Sequence, residues 1–121
     1  MAIKKILLVD DSATERHIIG EMLTRAGFQV VLAEDGEKGV ALAKVQLPDL
    51  IVMDVVMPGL NGFQATRAIT KDAATAHIPV ILCTTKDQET DKLWGMRQGA
   101  KDYVVKPVNE AELLAKIAAL G

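Results

Sequence analysis

The sequence lacks the features that accompany secretion, membrane insertion and nucleic-acid binding. It has a single cysteine, Cys83, so no disulfide can form within the chain. No charged and apolar leader opens it, and no apolar run reaches the length of about 18 residues that a membrane span needs. The formal net charge is −2 and the pI is about 5.6, which leaves no basic footprint for nucleic acid. We therefore expect a cytoplasmic protein, without membrane insertion or nucleic acid, whose partners are other proteins.

What the sequence does contain is the composition of a folded domain. Half of the residues are hydrophobic and a quarter are charged, whereas disordered chains combine low hydrophobicity with high net charge. A chain of 121 residues fits one domain with one core. Because we find no linker, repeat or low-complexity tract, we predict a single domain over residues 1–121.

Apolar runs typical of buried strands alternate with segments of helical periodicity. Parallel strands need crossover helices, and they read as continuous apolar runs when helices cover both faces of the sheet. The alternation therefore predicts an α/β fold, a doubly wound parallel sheet of the (βα)5 type. The predicted strands are Lys5–Val9, Gln29–Glu34, Leu50–Asp54, Pro79–Thr84 and Asp102–Val105.

Helix start and stop signals fit the same order. Ser12 followed by Glu15 predicts a capping box, in which each side chain accepts a hydrogen bond from the other residue's amide. Gly27 is placed to end the first helix with a left-handed cap, and Gly99 to end the fourth. Further N-terminal caps are predicted at Asp35, Asn61 with Gln64, and Asn109 with Glu112.

Polar side chains stand at the ends of four predicted strands. Asp10 and Asp11 follow the first strand. Asp54 ends the third strand, Thr84 ends the fourth and Lys106 follows the fifth. Because the functional crevice of an open α/β sheet lies beyond the carboxyl ends of its strands, we expect these five side chains to converge.

This set of side chains suits metal-assisted phosphoryl transfer. Carboxylates about 4 Å apart repel by roughly 4 kcal/mol per pair at an effective dielectric constant of about 20, so the cluster needs a cation. Hard oxygen ligands favour Mg²⁺, which would bring a phosphoryl donor against Asp54. Asp54 would then become an aspartyl phosphate, with Lys106 and the Thr84 hydroxyl on the other phosphoryl oxygens.

Four motifs in order make the chain similar to a known family. They are "VDDS" at 9–12, "DVVMPGLNG" at 54–62, "TTKD" at 84–87 and "GAKDYVVKP" at 99–107. In these motifs and their spacing the whole chain resembles the CheY-like receiver domains of response regulators. The resemblance implies the strand order 2-1-3-4-5. It also implies a phosphorylated signalling protein that takes its phosphoryl group from a histidine kinase and turns over no free substrate.

The resemblance assigns the metal site residue by residue. It implies that Asp11 and Asp54 bind Mg²⁺ directly and that Asp10 acts partly through water. Val56 would contribute its backbone carbonyl. Asp54 itself is the implied phosphoacceptor.

The resemblance also implies a switch at the fourth and fifth strands. Thr84 and Tyr103 match the family's switch pair, in which the hydroxyl moves toward the phosphoryl group and the aromatic ring turns inward. The Lys106–Pro107 bond is expected to be cis. Trp94 is either core packing or, with Tyr103, part of a partner-binding face. Gly95, in the middle of the fourth helix, is expected to weaken that helix.

The longer pattern "MDVVMPGLNGFQATR" followed by "TTKDQETDKLWGMRQGAKDY" is similar to a narrower group. These are the stand-alone receivers of chemosensory systems that drive type IV pilus twitching motility. The resemblance implies a chemosensory histidine kinase and a downstream motility-machinery protein as partners, with the chain a monomer or weak dimer.

Several alternatives stay open on the residues alone. A phosphatase of the haloacid dehalogenase type would carry D-x-D after its first strand, whereas Asp10 and Asp11 are adjacent. A flavodoxin-like FMN carrier would need a hydroxyl- and glycine-rich loop there. A degenerate receiver would only bind partners, and a complete one could instead control transcription or relay its phosphoryl group.

A few positions depart from the commoner receiver pattern. Val56 is apolar where chemotaxis receivers carry an amide, Thr85 stands where alanine is usual, and Lys86 is basic at a position that often tunes water access. We hypothesise that these residues change the lifetime of the phosphoryl group. Cys83, in an apolar strand, is predicted to be a buried hydrophobe and not a nucleophile.

Overall fold

The computed structural model describes residues 2–121 and contains five strands alternating with five helices. The strands are β1 Lys5–Val9, β2 Gln29–Ala33, β3 Leu50–Met53, β4 Val80–Thr84 and β5 Asp102–Val105. The helices are α1 Ala13–Arg25, α2 Gly36–Gln46, α3 Gly62–Lys71, α4 Glu89–Arg97 and α5 Glu110–Leu120. Within this part of the chain, each helix is too short or too polar to cross a bilayer.

The strands form one parallel sheet in the order β2-β1-β3-β4-β5. This confirms the expected doubly wound fold and its strand order. Every residue of β3 and β4 is buried, as the continuous apolar runs predict for strands covered on both faces. The chain order reverses beside β1, which puts the carboxyl ends of β1 and β3 next to each other at the centre of one edge.

Two apolar clusters lie on opposite faces of the sheet. On one face, Ile19 and Leu23 of α1 and Leu113 and Ile117 of α5 pack with β-strand residues such as Ile6. On the other face, α2 and α3 pack on the sheet through Ala43, Ala65 and Ile69. Helix α4 lies beside α3, where Gly95 faces Leu82 of β4. The two clusters leave the polar strand ends outside the core.

Three predicted strand boundaries are wrong by one residue. Strand β4 begins at Val80 and not at Pro79, because proline has no amide hydrogen to donate, although its carbonyl still accepts from Ile51. Strand β2 ends at Ala33 and not at Glu34, because the last hydrogen bond that β2 receives goes from the Asp10 amide to the carbonyl of Ala33.

At the end of β3 the boundary falls before Asp54. Its amide still donates to the carbonyl of Val9 at 2.9 Å, but the chain turns there.

The helix caps largely follow the prediction. Asp35 and Asn109 cap α2 and α5, and Asn61 with Gln64 forms a complete capping box on α3. The predicted box at Ser12 is only half present. Ser12 accepts from the Glu15 amide, but its own amide donates to Asp10 Oδ1 at 2.9 Å instead of to Glu15.

The glycine caps are confirmed, and one helix differs from the rest. Gly27 and Gly99 have φ values of 98° and 106°, in the left-handed region. Helix α4 begins after Gln88 without a side-chain hydrogen bond to its first turn. It is therefore the one helix of the described chain that starts without such a bond.

Candidate functional site

The acidic side chains after β1 and β3 meet, as the strand ends predict. Asp10, Asp11 and Asp54 each offer a carboxylate oxygen within 4.8 Å of the others. Asp10 and Asp54 are buried, whereas Asp11 is exposed. Three negative groups at this separation strongly favour a bound cation, and all the ligand atoms are oxygens of the kind that suits Mg²⁺.

Lys106 supplies a positive charge to the same site. Its Nζ atom donates to Asp10 Oδ2 at 2.7 Å and lies 3.8 Å from Asp54 Oδ2. Burial disfavours the charged ammonium, but the hydrogen bond to Asp10 and the charges of Asp54 and Asp10 outweigh it and raise the pKa of Lys106. The expected cis bond between Lys106 and Pro107 is present. Lys106 therefore stays charged and tied to both buried carboxylates.

Asp54 lies where its charge is poorly compensated. Burial, opposed by Lys106 and reinforced by Asp10, raises the pKa of Asp54 to about 6. The amides of Val55 and Val56 oppose the rise, and the Val55 amide donates to Asp54 Oδ1 at 2.8 Å. Asp54 Oδ2 faces the ammonium of Lys106 at 3.8 Å. The arrangement leaves one oxygen of Asp54 available to a ligand.

Backbone contacts that the sequence did not reveal hold these acids in place. The Arg16 guanidinium donates to the carbonyl of Asp10 at 2.7 Å, which fixes the loop between β1 and α1. A Cβ atom on Gly62 would overlap the carbonyl oxygen of Asp54, so α3 can begin this close to β3 only with glycine. The contact of Arg16 could have been expected from its position one helical turn after the Ser12 cap, which points its side chain back toward the loop after β1. For Gly62 the signal was its place at the end of the motif "DVVMPGLNG".

Thr84 and Tyr103, the predicted switch pair, meet at Lys86. Thr84 is fully buried at the end of β4, and its Oγ1 accepts from the Lys86 amide at 3.4 Å. The Tyr103 hydroxyl donates to the Lys86 carbonyl at 2.8 Å. Burial raises the pKa of Tyr103 to about 12, and Asp91, Asp87 and Asp54 add to the rise. The tyrosine ring is therefore turned inward.

The two residues predicted for a partner-binding face differ in exposure. Trp94 is 51% exposed, whereas Tyr103 is only 7% exposed. In this conformation Tyr103 cannot contact a partner, because its ring packs against Gly95 and its hydroxyl is bonded to Lys86. Of the two residues, only Trp94 presents surface here.

Two other predicted residues have definite positions. The Val56 side chain is 54% exposed, so it faces solvent beside Asp54. Its carbonyl as a metal ligand stays a prediction. Cys83 is buried in β4, and burial raises the pKa of its thiol to about 12, which makes it the inert hydrophobe that was expected.

A flavodoxin-like sheet with acids, a hydroxyl and a lysine at its carboxyl edge defines a class of phosphate- and metal-handling α/β proteins. Residues 6–118 match the family model of the response regulator receiver domain, and the chain belongs to that family. The expected family is confirmed. The assignment favours a two-component signalling protein over the phosphatase and the flavin carrier.

The relatives that the chain matches agree with this assignment. Protein PilH of Pseudomonas aeruginosa is 61% identical over 96% of this chain and 96% of its own length. That coverage confirms the likeness to a stand-alone receiver. Other curated relatives are longer: the chain spans 26% of the response regulator PleD of Caulobacter vibrioides, which is 38% identical.

Solved structures give the same fold. Chemotaxis protein CheY4 of Vibrio cholerae superposes with a TM-score of 0.92 at 32% identity, over 99% of this chain and 100% of that one. The receiver domain of sensor histidine kinase PA1611 from Pseudomonas aeruginosa, whose structure has a magnesium ion coordinated in the active-site cleft, superposes with a TM-score of 0.90. Their identity is 34%, over 98% of each chain.

Proposed function

We propose that this chain is a phosphorylation-controlled switch whose phosphoacceptor is Asp54. The observation that carries the proposal is the cluster of three carboxylates within 4.8 Å, with Lys106 at 2.7 Å from Asp10 and 3.8 Å from Asp54. A lone acidic cluster would suit any cation. The buried ammonium of Lys106 adds a second positive group, beside the metal, that can bind a phosphoryl oxygen.

The donor in this proposal is a phosphohistidine of a histidine kinase. The free oxygen of Asp54 attacks phosphorus, the bond from phosphorus to the histidine nitrogen breaks, and that nitrogen keeps the electron pair. Asp10, Asp11 and Asp54, with the Val56 carbonyl, are the proposed holders of Mg²⁺. When bound, Mg²⁺ neutralises the charge that gathers on the phosphoryl oxygens.

Lys106 and Thr84 recognise the group once it is on Asp54. The Lys106 ammonium is already tied to Asp10 and needs only a small movement from 3.8 Å to contact a phosphoryl oxygen. The Thr84 hydroxyl donates its hydrogen to another phosphoryl oxygen, and turning toward that oxygen draws Oγ1 away from the Lys86 amide, which donates to it across 3.4 Å. Since the Tyr103 hydroxyl also binds at Lys86, the loop that joins β4 to α4 connects phosphorylation with the position of Tyr103.

The proposed setting is a chemosensory pathway that controls type IV pilus twitching motility in the cytoplasm. The motif pattern and the 61% identity to PilH support it. The partners would be a chemosensory kinase and a motility-machinery protein. The chain would dephosphorylate itself but turn over no free substrate.

Phosphorylation by a small donor tests the core of this proposal. The chain is incubated with acetyl phosphate and Mg²⁺, and its intact mass is measured. We expect the wild type and Asp87→Asn, a matched exposed acid near the same edge, to gain one phosphoryl group. Asp54→Asn should gain none, and Asp11→Asn should need far more Mg²⁺. A mass gain that persists in Asp54→Asn would move the phosphoacceptor elsewhere.

The lifetime hypothesis concerns the residues that depart from the family pattern. Val56 and Lys86 are both exposed beside the site, where water must approach the phosphoryl group. We expect the decay rate of the phosphorylated chain to change in Val56→Asn and in Lys86→Ala. Equal decay rates in both variants and the wild type would show that these side chains do not set the lifetime.

A further inference from the structure

A groove lies between α3 and α4, on the side of the sheet away from α1 and α5. Its volume is about 430 Å³, and it is lined by Asn61, Phe63, Gln64, Arg67, Trp94 and Gln98. At its far end the two helices are joined, because Thr70 Oγ1 donates to the carbonyl of Gln98 at 2.7 Å. This α3–α4 groove shares no lining residue with the acidic cluster.

The apolar part of the groove is built around Trp94. About half of that side chain is exposed, and Phe63 across the groove is half-buried. Helix α4 also exposes Leu93 and Met96, and Gly95 is its only buried residue. Neither Leu93 nor Met96 lines the groove, so its apolar surface is that of Trp94 and Phe63. Tryptophan is enriched among the residues that dominate binding energy.

The charged side chain that lines the groove is a cation, and two further cations follow lining residues by about one helical turn. Arg67 lines the groove, Lys71 follows it by one helical turn, and Arg97 follows Trp94 by three residues. All three side chains are exposed, and none makes an ion pair within residues 2–121. The chain as a whole carries a net charge of −2, so this positive patch is local.

Nearby acids do not neutralise the patch. Asp72, at the end of α3, is paired with Lys44 at 3.3 Å, and Asp102, at the start of β5, is paired with Lys116 at 2.8 Å. Helix α4 carries Glu89 and Asp91 in its first turn, and Asp91 precedes Trp94 by three residues, so it lies toward the other end of the groove from Arg97. The groove therefore offers an apolar pocket with free cations toward its C-terminal end.

We propose that the α3–α4 groove binds an acidic segment of a partner protein, which inserts a bulky apolar side chain beside Trp94. The carboxylates of that segment contact Arg67 and Arg97. A second copy of this chain fits less well, because a two-fold contact through this groove would bring the same cations together. The proposal does not depend on the phosphorylation of Asp54, so it can fail or succeed separately.

Peptide selection tests this proposal with defined probes. A displayed library of random 16-residue peptides is selected on the immobilised full chain, and enriched peptides are synthesised with a fluorescent label for anisotropy titration. We expect enriched peptides to combine an aromatic or leucine residue with an excess of Asp and Glu. Their affinity should fall at least tenfold in Trp94→Ala and in Arg67→Glu, and it should weaken as salt rises.

Matched variants distinguish binding in this groove from nonspecific adsorption to exposed apolar or cationic side chains. Leu32→Ala removes an apolar side chain that is also 51% exposed, but on β2, and Lys4→Glu reverses an exposed cation that does not line the groove. Both should bind like the wild type, and all four variants should keep the circular dichroism spectrum and the cooperative thermal unfolding of the wild type, which shows that they fold. Peptides without acidic excess, or binding that survives Trp94→Ala and Arg67→Glu, would overturn the proposal. A dimer abolished by Trp94→Ala would also overturn it.

Discussion

Helices α3 and α4 lie side by side on the same face of the sheet, yet the chain holds them very differently. Helix α3 starts with a complete capping box at Asn61 and buries four of its residues, Gly62, Ala65, Thr66 and Ile69. Helix α4 starts without a side-chain cap and buries only Gly95. The helix next to the acids is therefore held by its cap and its packing, whereas the helix over Tyr103 has fewer such contacts.

The two helix glycines should give the largest difference. A methyl group on Gly62 meets backbone, which cannot move aside, so we expect Gly62→Ala to lose more than about 3 kcal/mol of unfolding free energy. On Gly95 it meets the end of the Leu82 side chain at 2.5 Å, which can rotate. Since alanine gains about 1 kcal/mol of helix propensity, Gly95→Ala should lose about 1 kcal/mol or less.

Denaturant titration measures both glycine variants, with Gly20→Ala as the control. Gly20 lies in α1 with no side chain closer than 3.9 Å to the added methyl group, so that variant should gain about 0.5–1 kcal/mol. Equal losses in Gly62→Ala and Gly95→Ala would mean that α4 is packed as rigidly as α3.

Tyr103 gives a second test of how closely α4 covers the sheet. It is the only tyrosine, so absorbance titration reports it alone, and we expect a pKa of about 12. Because the unfolded chain loses this proton near pH 10, the contribution of the group is intact below about pH 10 and declines as the pH rises toward 12. The difference in unfolding free energy between wild type and Tyr103→Phe should shrink over that range. An ordinary pKa near 10 would show that α4 leaves the ring open to water.

The helix caps should give the smallest effects. Asn61→Ala removes the half of the box in which Asn61 Oδ1 accepts from the Gln64 amide and should cost about 1 kcal/mol, whereas Gln88→Ser adds a cap to α4 and should gain about 0.5–1 kcal/mol. Amide hydrogen exchange locates each change: the amides of α4 should exchange faster than those of α3 in the wild type and slow in Gln88→Ser. Equal protection of the α3 and α4 amides from exchange would show that the two helices are equally stable.

The sequence was most informative where local patterns decide the structure. The five strands were predictable from apolar runs, and Asn61 and Asn109 from the spacing of their caps. The acids, Thr84 and Lys106 were predictable because parallel strands bring their carboxyl ends to one edge. What depends on distance across the fold was not predictable. The hydrogen bond from Thr70 to the carbonyl of Gln98, 28 residues later, is of this kind. At the Ser12 amide, by contrast, two local signals competed, and Asp10, two residues earlier, accepts the bond that was expected at Glu15.

The exposure of Trp94 was also beyond local pattern. Helix α4 has no clear apolar stripe, since Leu93, Trp94 and Met96 all face out while a glycine faces in. A sequence with apolar residues at three of four consecutive positions fits a buried helix as well as an exposed one. Only the contact of Gly95 with Leu82 and Tyr103 decides which side packs on the sheet.

The half-exposed indole has a practical consequence for spectroscopy. Because the chain has no other tryptophan, its near-ultraviolet emission comes from one position, on the wall of the α3–α4 groove. An occupant that removes water from that indole shifts the emission to shorter wavelength without any attached dye. The protein therefore carries its own optical probe, at the surface where a partner would first be detected.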